Sequence, residues 1–231
     1  MNAEKRPRIG AIIVASGSSR RMHGMDKISA NLAGKPLIQW SLECFERSKH
    51  IDEIVLVLSR HNISFGRKLI RSEGWEKVKI CLGGLKRQDS TKAGLHDLHP
   101  CDFVVVHDGA RPCITNQLLE NGIHQAFRHG SAVAAVPAIN TSSSVGADLS
   151  VIRMHDKLST WDHQTPQIFG YDALKRAFEM PKTSATDEAG IVAALGERIR
   201  LYRSSYDNVK VTVQGDLARA EQILLLRQLP A

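Results

Sequence analysis

The chain has 231 residues, of which 42% are hydrophobic and 24% charged, and carries a formal net charge of +7. This length and apolar content can bury a full core, and they suit one α/β domain spanning 1–231. They argue against a membrane-spanning or disulfide-stapled protein: no apolar run approaches the ~20 residues needed to cross a bilayer, and Cys44, Cys81, Cys101 and Cys113 form no C-x-x-C pair.

The first element is IGAIIVA, Ile9 to Ala15, short and β-branched, which predicts a buried strand. It runs into VASGSSRRMHGMDK, where small residues leave backbone N–H groups unobstructed and cations stand beside them, an arrangement that suits phosphate oxygens. This stretch is neither a Walker A loop nor a G-x-G-x-x-G turn, which weakens the ATPase and dehydrogenase readings. PLIQWSLECFERS reads as an amphipathic helix, and EIVLVLS (Glu53 to Ser59) and VKICL (Val78 to Leu82) as strands. GGLKRQDS, Gly83 to Ser90, places paired glycines after a strand, with Ser90 expected to open the next helix.

DFVVVHD, Asp102 to Asp108, reads as a strand with an apolar centre, and HDGARP puts a carboxylate, a small-residue turn and a guanidinium at its end. After the amphipathic TNQLLENGIHQAFRHG and the strand AVAAVP (Ala132 to Pro137), the rhythm breaks. Residues 138–160 are polar and turn-rich, and they predict a protruding loop or β-arm. TPQIFG, helices from about Tyr171 and about Thr186, the strand RIRLYRS and a last helix from about Gly215 complete the chain.

Alternating strand and helix signatures predict an α/β fold with a mostly parallel sheet covered by helices. Ligands of such sheets gather at the carboxyl ends of the strands. Three clusters fall there: the opening turn, GGLKRQDS and HDGARP. Glycines at the second admit a base or ribose close to the backbone. At the third, Asp108 can handle Mg²⁺ directly or through water, and Arg111 can fork onto a phosphate. Each cluster alone is an ordinary turn or a loop ion pair, but three of them ending three strands of one sheet describe a site.

Strand–SGSSRRM–Lys, GG-x-x-R-Q-D-S, HDGARP, QTPQIF, TDEA and DNVKVT follow in this order over nearly the whole chain. Together they resemble the 2-C-methyl-D-erythritol 4-phosphate cytidylyltransferase family. The resemblance implies a Rossmann-like nucleotidyltransferase fold, a homodimer joined partly through the arm, CTP and Mg²⁺, and transfer of CMP to methylerythritol phosphate in non-mevalonate isoprenoid synthesis. It also implies catalytic roles for Arg21, Lys27, Lys157 and Lys210. Nucleotide contacts fall to Ala15, Ser16, Gly17, Ser18, Ser19, Gly83, Gly84, Arg87, Ser90 and Gly109. Acceptor contacts fall to Asp108, Arg111, Thr141, Thr165 and Thr186, with Asp108 also beside the metal.

Two departures concern the acceptor. Asn140, Thr141 and Ser143 stand where the family has Asp-Thr followed by a lysine, and Asp156-Lys157 stands where it has Asp-Arg. A lysine keeps the charge of an arginine without its planar fork. Ribitol-5-phosphate cytidylyltransferases, or enzymes for other sugar phosphates, are the alternative, and Gly109-Ala110-Arg111 favours the first family. A basic nucleic-acid-binding protein would account for the charge and the ten histidines, but aromatics are only 5% and no zinc-finger spacing, RNP aromatics or helix-turn-helix signature is present. A non-catalytic scaffold is opposed by the retained Arg21, Lys27 and Asp108. The expected partners are CTP, a sugar-alcohol phosphate and a second copy of the chain, with no nucleic acid and no membrane, in the cytoplasm.

Overall fold

The computed structural model describes residues 6–17, 26–180 and 185–228. In chain order its elements are β1 (Ile9–Ala15), the short hairpin β2 (Asn31–Leu32) and β3 (Lys35–Pro36), α1 (Leu37–Arg47), β4 (Glu53–Leu58), α2 (Ile63–Glu73), β5 (Val78–Leu82) and α3 (Arg87–Asp97). Then come β6 (Phe103–Asp108), α4 (Asn116–His129), β7 (Ser131–Pro137), a second hairpin β8 (Ser143–Val145) and β9 (Val151–Met154), and β10 (Trp161–Gly170). Last are α5 (Tyr171–Glu179), α6 (Glu188–Ala193), β11 (Leu201–Arg203) and α7 (Gln214–Gln228).

Seven strands form one sheet in the order β11-β7-β10-β6-β1-β4-β5. All neighbours are parallel except β10, which runs antiparallel to both β6 and β7. The period-two alternation of strand side chains divides two cores between the faces. Ile9, Ala11 and Ile13 of β1, Ile54 and Leu56 of β4 and Val105 of β6 join one core, which α1, α2 and α4 also enter. Ile12, Val55, Val57, Val104 and Val106 join the other, with α3, α5 and α6. Burial on both faces is why these strands read as continuous apolar runs. Gly94 lets α3 lie close on this second face, since a Cβ there would stand 2.5 Å from Ile12 Cγ2.

Several boundaries differ from expectation for physical reasons. The helix after Gly83-Gly84 opens at Arg87, because Asp89 Oδ2 accepts from Lys86 N at 3.2 Å and caps it there. Ser90 therefore sits inside the first turn. TPQIFG, given no element from sequence, lies in β10, which begins at Trp161 because Trp161, Asp162 and His163 also pair with β7. α6 begins at Glu188 because the Asp187 carboxylate caps it by accepting from Gly190 N. The polar interruption at 138–160 contains the β8–β9 hairpin, and its apolar residues Val145, Leu149, Val151, Ile152, Met154 and Leu158 are exposed.

Candidate active site

Parallel pairing brings the carboxyl ends of four strands to one edge, with Val14 opposite Asp108, Ala15 opposite Leu58 and Leu58 opposite Leu82. The chain leaves the sheet there through Ser16, Ser59 and Gly83. These residues and Asp108 line a cavity of about 590 Å³, completed by Lys27, Gly84, Arg87 and Lys210.

The two glycines work through the absence of a side chain. A Cβ on Gly83 would lie 2.4 Å from Ser16 Cβ, and one on Gly84 would lie 2.4 Å from Asp89 Cβ. With neither present, Ser16 Oγ and Ser90 Oγ meet at 2.7 Å, and Gly84 N donates to Ser90 Oγ at 3.2 Å. One hydrogen-bonded patch thus joins the turn after β1 to the first turn of α3.

Asp108 is 6% exposed and surrounded by cations. Arg87 Nε donates to its Oδ1 at 3.0 Å, Lys210 Nζ lies 2.7 Å from its Oδ2, and Arg111 Nε stands 3.8 Å from the same oxygen. Burial pushes this carboxyl up, but Arg87, Lys210 and Arg111 outweigh burial and hold it well below the usual carboxylate range. Beneath it, Asp108 N donates to Thr165 Oγ1 at 3.0 Å, and that hydroxyl meets His107 Nδ1 at 3.1 Å. His107 Nε2 faces Arg111 O at 3.3 Å, and a carbonyl can only accept, so Nε2 carries the proton. Burial lowers the His107 pKa to about 3, which keeps the ring neutral, with Nδ1 as acceptor of the Thr165 hydroxyl proton.

Lys210 also lines a second cavity of about 520 Å³, more polar in character, with Arg111, Asn140, Ser142, His163 and Arg219 among its walls. The two cavities thus adjoin at one cation. Lys27 lines the first cavity and its Nζ donates to Val211 O at 3.5 Å.

Of the residues named from sequence, Ala15, Ser16, Gly17, Gly83, Gly84, Arg87, Ser90, Asp108, Lys27 and Lys210 are brought together around the first cavity. Arg111 faces the second, where it donates to Asn208 O at 2.6 Å. Gly109 is buried instead, and a Cβ on it would stand 2.7 Å from Ile38 and 3.0 Å from Ala15. Thr165 lies 3% exposed behind Asp108 and lines neither cavity, because its hydroxyl is engaged by Asp108 N and His107. Thr141 and Lys157 are exposed in the arm, and Thr186 is exposed beside Asp187; none of the three lines either cavity. Arg21, Ser18 and Ser19 lie outside the described residues.

Sequence reasoning did not single out His107, Glu188 or Asn208, although HDGARP, TDEA and DNVKVT contain them. Asn208 Nδ2 donates to Gln164 Oε1 at 2.9 Å and Thr165 O at 2.8 Å, tying the loop before Lys210 to β10. Their polar character within those motifs was the signal the sequence offered; their burial appears only in the structure.

A family model described as 2-C-methyl-D-erythritol 4-phosphate cytidylyltransferase matches residues 9–226. The chain is 39% identical over 218 residues to the protein of that name from Dehalococcoides mccartyi, covering 94% of this chain and 96% of that one. It is 38% identical over 224 residues to the one from Alkaliphilus oremlandii, covering 94% and 95%. The solved structure of 4-diphosphocytidyl-2C-methyl-D-erythritol synthase from Anaerococcus prevotii matches with a TM-score of 0.85 at 25% identity, covering 95% of this chain and 96% of the other. With the motifs, the sheet order and the strand-end cavity all in place, the chain belongs to the 2-C-methyl-D-erythritol 4-phosphate cytidylyltransferase family.

Proposed function

We propose that this chain transfers CMP from CTP to 2-C-methyl-D-erythritol 4-phosphate, giving the cytidine diphosphate product and pyrophosphate. The observation that carries the reading is the cavity at the strand ends, where Gly83-Gly84, Arg87, Asp108, Lys27 and Lys210 meet and which adjoins a second polar cavity at Lys210. The family membership agrees with it.

The reaction joins two polyanions. A phosphate oxygen of the acceptor attacks the α-phosphorus of CTP in line; the new O–P bond forms as the bond to the β-phosphate oxygen breaks and pyrophosphate leaves. There is little proton chemistry to perform, so positioning and fixed positive charge supply the catalysis. In this reading the turn after β1 and Gly83-Gly84 hold the nucleotide, Arg87 and Ser90 face its cytosine and ribose side, and Lys27 with Arg21 stabilises charge on the phosphoryl oxygens. Lys210 sits between nucleotide and acceptor. Arg111 and Thr186 serve the acceptor side, while Thr165 holds Asp108.

The donor set suits magnesium carried in on the triphosphate. Asp108 is the one carboxylate among the described residues lining the first cavity, and no group of three His, Cys, Asp or Glu side chains is poised for a metal among the described residues. Mg²⁺ in phosphoryl-transfer sites is held by one or two carboxylates with phosphates and water. Asp108 would hold it, directly or through water, and the ion would neutralise charge on the triphosphate.

Residues 1–231 act in this proposal as one unit, with 138–160 as an arm that packs on a second copy of the chain. The exposed apolar residues of the arm, among them Val145, Leu149, Val151, Ile152, Met154 and Leu158, support the dimer, because an arm of this size buries too little surface to be stable alone. Lys157 and Thr141 would then reach the partner's acceptor pocket. The enzyme would work in the cytoplasm; no helix among the described residues is long and apolar enough to cross a membrane. The test is incubation of the purified chain with CTP, Mg²⁺ and either methylerythritol phosphate or ribitol 5-phosphate, following pyrophosphate. Release that is faster with methylerythritol phosphate is expected. Faster release with ribitol 5-phosphate, or none with either, overturns the acceptor assignment.

A further inference from the structure

Glu188 is fully buried at 0% exposure, yet it is a carboxylate that faces a cation of the cavity wall. Arg87 Nη1 donates to both of its oxygens, at 2.7 Å and 2.5 Å, and Thr91 Oγ1 donates to Oε1 at 2.7 Å. The same guanidinium holds Asp108 through Nε. Arg87 is thus stretched between two carboxylates, one facing the cavity and one sealed behind it. Glu188 opens α6 directly after Asp187, whose carboxylate accepts from Gln167 Nε2 at 2.9 Å and also meets His163, a wall residue of the second cavity. The helix that carries Glu188 is therefore anchored to the acceptor side.

A buried carboxylate needs a partner, but nothing in folding requires that partner to belong to the ligand cavity. Here it does. We propose that Glu188 is a positioning residue for CTP, fixing the Arg87 guanidinium so that Asp108 and the ribose side of the cavity keep their geometry; this rests on the functional reading above.

Charge and position make opposite predictions. The cluster holds two carboxylates, Glu188 and Asp108, against three cations, Arg87, Lys210 and Arg111. Glu188→Gln removes a negative charge near the triphosphate, so a purely electrostatic role would tighten CTP. If Glu188 positions Arg87, the released guanidinium turns more fully onto Asp108, and CTP binds more weakly. A structural role alone would lower the melting temperature and leave the constants of the folded enzyme unchanged.

The experiment is steady-state kinetics of Glu188→Gln with CTP varied and then acceptor varied, beside the wild type. We expect the KM for CTP to rise about tenfold, equivalent to about 1.4 kcal/mol, and the KM for the acceptor to stay within about threefold. In an Arg87→Met background the same substitution should add nothing, because its route of action is gone. Thr91→Val, which removes one hydrogen bond to Glu188 and keeps every charge, should raise the CTP KM about twofold to threefold. It decides the matter if Glu188→Gln does not fold. An unchanged or lowered CTP KM in Glu188→Gln, an equal effect in the Arg87→Met background, or an unaltered Thr91→Val overturns the proposal. Calorimetric titration of CTP without acceptor reads the same affinity shift, so an enzyme inactive on methylerythritol phosphate would sink the functional reading while leaving this test intact.

Discussion

Lys210 Nζ lies 2.7 Å from Asp108 Oδ2, joining the loop before α7 to the end of β6 at the boundary of the two cavities. Lys210 is 38% exposed on its side chain and Asp108 9%, and Asp108 keeps Arg87 as a second partner at 3.0 Å; in the function proposed above, the pair places a cation where nucleotide and acceptor meet. Lys210→Met should lower kcat on the order of 100-fold, the usual effect of losing one preorganised donor, while the melting temperature moves little. Single-turnover kinetics with saturating CTP reads this. A kcat within about threefold of wild type would remove Lys210 from the reacting centre.

His107 predicts an acid response. Burial holds it near 3 in the native chain against an ordinary 6.5. Between those values the unfolded chain binds a proton that the native chain does not, so stability rises with pH. The stabilisation from neutral His107 is fully present above about pH 6.5 and is lost as pH falls toward about 3, at up to about 1.4 kcal/mol per pH unit. His163 has the opposite sign: its hydrogen bond to Asp187 raises it, so its contribution is present below 6.5 and lost as pH rises through the raised value. In urea titrations from about pH 7.5 to about pH 5, the stability gap between wild type and His107→Asn should narrow as pH falls. A constant gap would show that His107 takes no part.

Gly84→Ala tests the proposed close approach of the nucleotide to the loop after β5. The new Cβ would stand 2.4 Å from Asp89 Cβ, and Asp89 is the residue that caps α3 through Lys86 N. The loop must shift, at about 1 to 3 kcal/mol by analogy with overpacking. The KM for CTP should rise about tenfold while the acceptor KM stays close to wild type. Equal effects on both substrates would mean that the loop shapes the whole site and not the nucleotide side.

The core of the fold was legible because the strands that build it are apolar on both faces: IGAIIVA, EIVLVLS and DFVVVHD became β1, β4 and β6 within about a residue. The cavity was legible because parallel strands gather the turns at their carboxyl ends along one edge. The antiparallel direction of β10 was not, since the apolar run TPQIFG looks the same read either way. The pairing of Arg87 with Glu188 was equally hidden: it joins α3 to α6 far apart in the chain, and neither local pattern names the other residue. Thr165 could be placed near the acceptor by its motif, yet only packing shows its hydroxyl turned inward to Asp108 N and His107.

Lys157 tests whether each active site is shared. It is exposed in the arm and lines neither cavity of its own chain, while the arm around it exposes Leu158, Met154 and Ile152. If those residues pack on a second copy and carry Lys157 to the partner's acceptor phosphate, Lys157→Ala should raise the acceptor KM about tenfold or more and leave the CTP KM nearly unchanged. Lys157→Arg should match or improve on wild type, because the fork adds paired hydrogen bonds to the phosphate. Mixing Lys27→Ala chains with Lys157→Ala chains then separates a shared site from a private one. In a heterodimer with shared sites, the Lys27→Ala subunit supplies Lys157 to the site that keeps Lys27, which regenerates one intact centre. With private sites, each centre lacks one lysine and no activity returns. Full activity in a monomer, established by light scattering at assay concentration, would overturn the shared site outright, as would proven heterodimers that recover nothing.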